Sequence, residues 1–178
     1  MVTLSPDPDC RLCGLCECRT TIVLPDGNLS SKVVFVGEAP GENEDVQGRP
    51  FVGKSGKILE GAMEAAGISR SDVMITNTVK CRPPNNRDPK PEEMEVCRPF
   101  LESELSGRSL VVGLGKSAIR DLIGYDGKMS DIVNKVIKLN VGGTEVEFLP
   151  TYHPAACIYN KSARSALADA MAIVRSYL

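Results

Sequence analysis

No stretch of the chain is apolar for the roughly 18 residues that a membrane-spanning helix needs, and none reads as a charged-then-apolar leader with a small-residue cleavage site. The expectation is a soluble, unexported, cytoplasmic protein with no membrane partner. An excess of one charge is missing too. The formal net charge is −2, so a nucleic-acid partner would have to be met by local basic patches, not by the overall field. There is no internal repeat and no low-complexity segment. Histidine is nearly absent, with His153 the sole example.

What is present fits one compact domain over residues 1–178, with 42% hydrophobic residues to build a sizeable core. Seven cysteines are many for this length. An odd number without an export signal argues against a disulfide framework and for metal or cluster ligation. Four of them, Cys10, Cys13, Cys16 and Cys18, lie in a segment with little apolar periodicity. We expect residues 1–19 to be a clip held by a metal and packed onto the domain.

The apolar run 33–36 reads as a buried strand of a parallel sheet. Beyond it, Gly37 and Gly41 permit unusual backbone angles, Pro40 stiffens the turn, and Glu38, Glu42, Glu44 and Asp45 place four carboxylates within eight residues. Ligands bind beyond the carboxyl ends of parallel strands, so this acidic loop is the expected site. Strands are also expected over 73–79 and 109–114, with a short one over 20–24 before turn chemistry at 25–31. Helices are expected over 56–66, 91–105, 116–123 and 162–178, and a hairpin over 133–148 turning at Gly142 and Gly143. The alternation of strands and helices predicts an α/β fold, a three-layer α/β/α sandwich with a mainly parallel sheet.

Gly48-x4-Gly53-Lys54-Ser55 matches a phosphate-loop pattern letter for letter. Its context does not. Glu44 and Asp45 precede it where a buried strand should stand, Pro50 removes a backbone donor, and the third strand does not end in a magnesium-binding aspartate. Cys10-x2-Cys13 with Cys81 and Cys97 fits tetrahedral zinc or an iron–sulfur cluster, and spacing does not choose between them. Cys10, Cys13 and Cys16 imitate a ferredoxin run, but Cys18 comes too soon and no proline follows it. Cys157, Cys16 and Cys18 read as ordinary buried thiols. Asn77, near the end of the second strand, and His153, in a loop after a strand, are placed to face the same crevice, with Phe51 in the polar loop.

Together these residues resemble the uracil-DNA glycosylase superfamily, specifically its family-4, iron–sulfur branch. The matching segments are Cys10-x2-Cys13 with Arg19-Thr20, GEAPGENED at 37–45, GRPFVGKSG at 48–56, ITNTVKCRPPNNR at 75–87, Cys97, and HPAA at 153–156. They run in order along nearly the whole chain. The resemblance implies a central four-stranded sheet, a 4Fe–4S cluster on Cys10, Cys13, Cys81 and Cys97, and excision of uracil from single- or double-stranded DNA. It also implies that uracil lies over Gly37, Glu38 and Ala39, stacks on Phe51, is read by Asn77, and meets His153 at its O2 oxygen.

The better-known relatives carry an aspartate where this chain has Ala39. Glu44 is therefore expected to position water or face the sugar cation, with Glu38 and Asn86 behind it. DNA phosphates are expected to meet Arg82, Asn86, Arg87, Lys90, Lys161 and Arg164, and Ile158 or Tyr159 to act as the wedge. The chain is expected to be monomeric, with a sliding clamp as the candidate protein partner. The alternative expectation is an iron–sulfur protein that holds uracil-containing DNA with little or no turnover. The covalent-adduct relatives carry a histidine-containing insertion after the acidic motif, and EDVQGRPF has none. A zinc-stapled or redox iron–sulfur protein without DNA chemistry is the third reading.

Overall fold

The computed structural model describes residues 4–178, so residues 1–3 of the expected clip lie outside the described residues. In chain order the elements are β1 (Asp26–Gly27), β2 (Val33–Gly37), α1 (Glu42–Gln47), α2 (Lys54–Ala65), β3 (Met74–Asn77), α3 (Pro91–Leu105), β4 (Leu110–Leu114), α4 (Lys116–Ile123), α5 (Met129–Ile132), β5 (Ile137–Val141), β6 (Thr144–Thr151) and α6 (Lys161–Arg175). Single 3-10 turns occupy Gly14–Glu17, Arg70–Asp72, Pro84–Asn86 and Pro154–Ile158. Among the described residues, no helix is long and apolar enough to cross a membrane.

Among the described residues, the strands form one six-stranded sheet in the order β1-β3-β2-β4-β6-β5, which corrects the expectation of four. The four central strands are mutually parallel, and β1 and β5 add an antiparallel strand at each edge. β5 is the first arm of the expected hairpin, which continues the sheet instead of standing apart from it. β1 was expected as turn, and two residues are too few to show any period. Gly27, at φ +89°, lets it pass close to the Val73 carbonyl. The strand expected over 20–24 does not form. Val23 instead donates a single N–H to the Lys80 carbonyl at 2.8 Å, and the Thr20 and Thr21 N–H groups go to Asp45 Oδ1 at 2.8 and 3.2 Å.

Alternation along β2 sorts its side chains between two cores. Val33 and Phe35 pack with Leu59 and Met63 of α2 and Leu167 and Met171 of α6. Val34 and Val36 pack with Leu101 and Leu105 of α3 and Ile119 of α4. These helices cover the sheet on both faces, giving the three expected layers. Burying a side chain such as Phe35 or Leu59 contributes about 1.5–3 kcal/mol relative to exposure. Helix ends follow local chemistry. Pro91 opens α3 with Glu93 Oε1 accepting from Lys90 N at 2.8 Å, and Asn160 Oδ1 caps α6 by accepting from Ser162 N at 2.9 Å and Ala163 N at 3.2 Å.

A third, smaller core gathers Leu15, Val79, Met94 and Phe100 around Cys13, Cys81 and Cys97. Between it and the sheet lies a buried ion pair. Lys80 Nζ stands 2.7 Å from Glu104 Oε1, with the two side chains 1% and 2% exposed. Lys80 also donates to Thr76 Oγ1 and to the Asn77 carbonyl, each at 2.7 Å.

Candidate active site

Strands β2 and β3 end in register, Gly37 opposite Asn77. The pairing is stitched past their ends. Thr78 N donates to the Gly37 carbonyl at 2.9 Å, and Thr78 Oγ1 to the Glu38 carbonyl at 2.6 Å. A cleft of about 380 Å³ opens there, within the size range of small-molecule sites. Its lining includes Glu38, Ala39, Glu44, Phe51, Asn77 and His153. Gly37 lies directly beneath two of them, since a Cβ on it would meet the Phe51 ring at 2.5 Å and Asn77 Oδ1 at 2.6 Å. The expected base-binding residues are thus brought together by the ends of two parallel strands, the segment between α1 and α2, and the turn after a third strand.

Phe51 has a positive φ of 52°, a left-handed conformation that bulky residues rarely adopt. Its ring centroid lies 5.9 Å from that of His153, tilted by 33°. His153 follows β6, and its Nδ1 accepts from Ala155 N at 3.1 Å, capping the turn Pro154–Ile158. That bond fixes the tautomer: Nδ1 bears the lone pair and Nε2 the hydrogen. Burial holds the imidazole below the ordinary histidine value of 6.5, so the ring is a neutral donor.

The acidic stretch is not all loop. Residues 42–47 form α1, capped through Glu44, whose Oε1 accepts from Gly41 N at 3.0 Å. Glu44 Oε2 accepts from Val52 N at 2.9 Å and Gly53 N at 2.7 Å. One carboxylate therefore ties the start of α1 to the segment before α2 while bordering the cleft. Asp45 is buried outside the cleft lining and accepts from Thr20 N and Thr21 N, just after the clip. Glu38 is half-buried, and burial lifts its carboxyl above the usual range; nearby Asp88 pushes the same way, while the Ser117 hydroxyl and Arg120 pull it down.

Among the expected DNA contacts, Arg82 Nε donates to Asn86 Oδ1 at 2.7 Å, and Asn86 and Arg87 line the cleft. Arg87 is occupied on one side by a two-pronged contact with Glu93 at 2.8 and 2.9 Å. Lys161 and Arg164 are exposed at the start of α6, outside the cleft lining, and Tyr159 just before them is 90% exposed. Three residues of the set missed by sequence reasoning also line the cleft: Asn43, Lys54 and Ser55. The last two sit in the phosphate-loop lookalike, and that match was the available signal.

Cys10, Cys13, Cys81 and Cys97 line one small cavity together with Arg19, Lys80 and Phe100. Burial pushes the Cys13 and Cys97 thiols up and the Cys81 thiol to about 11, the last opposed by Arg19, whose Nη1 donates to Cys81 Sγ at 3.5 Å. Among the described residues, no three His, Cys, Asp or Glu side chains form a group able to hold a single metal ion. Four thiols converging on one cavity are the donor set that zinc or an iron–sulfur cluster takes. Cys16 is half-buried outside the cavity lining, Cys157 is buried in the core as expected, and Cys18 is exposed, contrary to expectation.

Residues 24–174 match the family model described as the uracil DNA glycosylase superfamily. A type-4 uracil-DNA glycosylase of Saccharolobus solfataricus is 40% identical over 167 residues, covering 90% of this chain and 77% of the relative. Similar proteins of that name from Archaeoglobus fulgidus and Thermotoga maritima are 42% and 43% identical over 161 residues, covering 87% and 86% of this chain and 81% and 80% of theirs. The β2 and β3 strand ends, the cleft beyond them and the histidine turn after β6 all fall within the matched span, and the chain belongs to the uracil-DNA glycosylase superfamily.

Proposed function

We propose that the chain is a uracil-DNA glycosylase of base-excision repair, which takes a uracil nucleotide out of the DNA stack and hydrolyses its N-glycosidic bond. The observation that carries the reading is the meeting of the Asn77 amide, the Phe51 ring and the neutral His153 on one cleft. An amide pairs with uracil N3–H and O4 and disfavours the amino group of cytosine. The ring supplies a stacking face, as every base has one to match. When the bond from the sugar C1′ to uracil N1 breaks, its electron pair leaves with the base. The Nε2–H of His153 then donates to the charge growing at uracil O2, and water oxygen bonds to C1′ and gives up a proton that ends on the uracil anion, leaving free uracil and an abasic site.

Ala39 offers no group to orient that water, and Glu44 is the carboxylate we assign to the sugar side of the cleft. Its three backbone donors hold it in place. It acts as a fixed negative charge for the sugar cation and as an acceptor for water, with Glu38 its neighbour across the loop. Glu44→Gln sets an amide N–H₂ against a backbone N–H, so the variant is expected to lose turnover by more than tenfold with DNA affinity changed far less. Single-turnover cleavage measured beside DNA binding checks this, and an unchanged cleavage rate removes Glu44 from the mechanism.

Phosphate contacts are assigned to Arg82, Asn86, Arg87, Lys161 and Arg164, with exposed Tyr159 as the wedge beside the histidine turn. The four cavity thiols would hold a 4Fe–4S cluster, which joins the clip to the loop after β3 and to α3. Analysis of iron and acid-labile sulfide tests the cluster against zinc. The function is tested by incubating the cluster-loaded protein with DNA containing one uracil, then cleaving abasic sites with alkali. Strand scission at the uracil is expected, and intact DNA rejects the proposal.

A further inference from the structure

Behind the cleft, Arg70 grips the segment that carries Phe51. Its Nη1 donates to the Phe51 carbonyl at 2.9 Å, and its Nη2 to the Pro50 carbonyl. Its Nε bonds Asp26 Oδ2 at 3.0 Å, Glu60 lies 3.4 Å from Nη1, and the side chain is only 14% exposed. Arg70 belongs to the turn Arg70–Asp72 between α2 and β3 and is not part of the cleft lining. Asp26 is supplied by β1, the two-residue edge strand, and its second partner is Arg49 at 2.9 Å.

We infer that Arg70 is a positioning residue for base recognition: its fork, anchored on Asp26, holds Phe51 in the left-handed backbone conformation that aims the ring over Gly37. A bulky residue with φ of 52° persists only where its surroundings over-determine it. Two features besides Arg70 do so. A Cβ at Gly56 would lie 1.8 Å from the Phe51 carbonyl oxygen, so the first turn of α2 closes on that carbonyl from the other side. The ring itself is pressed against Gly37 beside Asn77. Releasing the carbonyls of residues 50 and 51 frees the backbone to relax toward negative φ, and the ring then leaves the position that a flat base needs. A lysine carries the charge but cannot reach two carbonyls and Asp26 with a planar fork.

The inference rests on Phe51 being the stacking platform, so the test includes Phe51 itself. Inhibition of excision by free uracil is measured for Arg70→Lys, Arg70→Met, Phe51→Gly and the double variant Phe51→Gly with Arg70→Met, with a thermal midpoint for each. Each Arg70 single variant is expected to weaken uracil inhibition roughly tenfold, the scale of one charged hydrogen bond. In the Phe51→Gly background, Arg70→Met is expected to add nothing, because no strained ring remains to hold. Equal effects with and without the ring overturn the inference, as does a lysine variant with unchanged uracil inhibition. Undiminished inhibition in Phe51→Gly alone refutes the platform reading itself, a separate result. Should the Arg70 variants not fold, Asp26→Asn keeps the arginine and loosens its anchor, and a loss of uracil inhibition in the same direction is expected; no change counts against the anchor.

Discussion

His153→Ala is expected to lower the single-turnover rate of uracil excision by roughly 100- to 1,000-fold, the loss typical of one preorganised donor to developing negative charge. The effect should fall on the chemical step and spare DNA affinity, because the charge it meets exists only as the bond breaks. The same residue sets a pH signature. Burial lowers its pKa below 6.5, so the neutral donor persists as pH falls past the ordinary histidine range. Protonating Nδ1 would turn it toward the Ala155 N–H it now accepts from, donor against donor, and open the turn that carries the ring. Both activity and the stability linked to this group are therefore full above the unfolded value, and are lost as pH falls through the lowered folded value. A rate profile that breaks at or above the ordinary value would falsify the neutral-donor assignment.

Glu104→Ala is expected to destabilise the fold by about 3–5 kcal/mol, since it leaves the Lys80 ammonium buried without a counter-charge. At about 2–4 °C per kcal/mol for a chain of this size, the thermal midpoint should drop by roughly 6–20 °C. The damage extends beyond stability. Lys80 Nζ also holds the Asn77 carbonyl and Thr76 Oγ1, which in turn donates to Glu104 at 2.7 Å, so relaxation of the ammonium moves the strand end carrying the Asn77 amide. Glu104→Gln keeps the acceptor oxygen and should lose less. A midpoint in Glu104→Ala within a degree or two of the parent would show that water reaches the pair.

Where the sequence spoke clearly, it did so through local patterns. Residues 33–36 announce a strand buried on both sides, Pro91 with two acids opens α3, and Gly142-Gly143 turns the β5–β6 hairpin. The cleft residues were legible through family motifs, and their types make chemical sense one by one. Other parts carry no local signal. β1 is two residues long, and α5 spans four. α1 hides in an acidic run because its N-cap is Gly41, which has no side chain to mark the helix start. Lys80 and Glu104 are 24 residues apart and pair only because β3 and α3 pack together. Arg70 lies outside every motif, and its contacts with residues 50 and 51 exist only once α2 has turned the chain back on itself.

The order of parts along the chain has a consequence during synthesis. All four cavity thiols fall within the first 97 residues, on the clip, the segment after β3 and α3. His153 hangs from β6, and β6 takes its parallel place in the sheet only beside β4. On the ribosome, where N-terminal segments fold first, the thiol cavity and the Phe51 and Asn77 walls emerge well ahead of the histidine. The donors of the proposed cluster thus precede the histidine, and the cleft is completed only with the last third of the polypeptide.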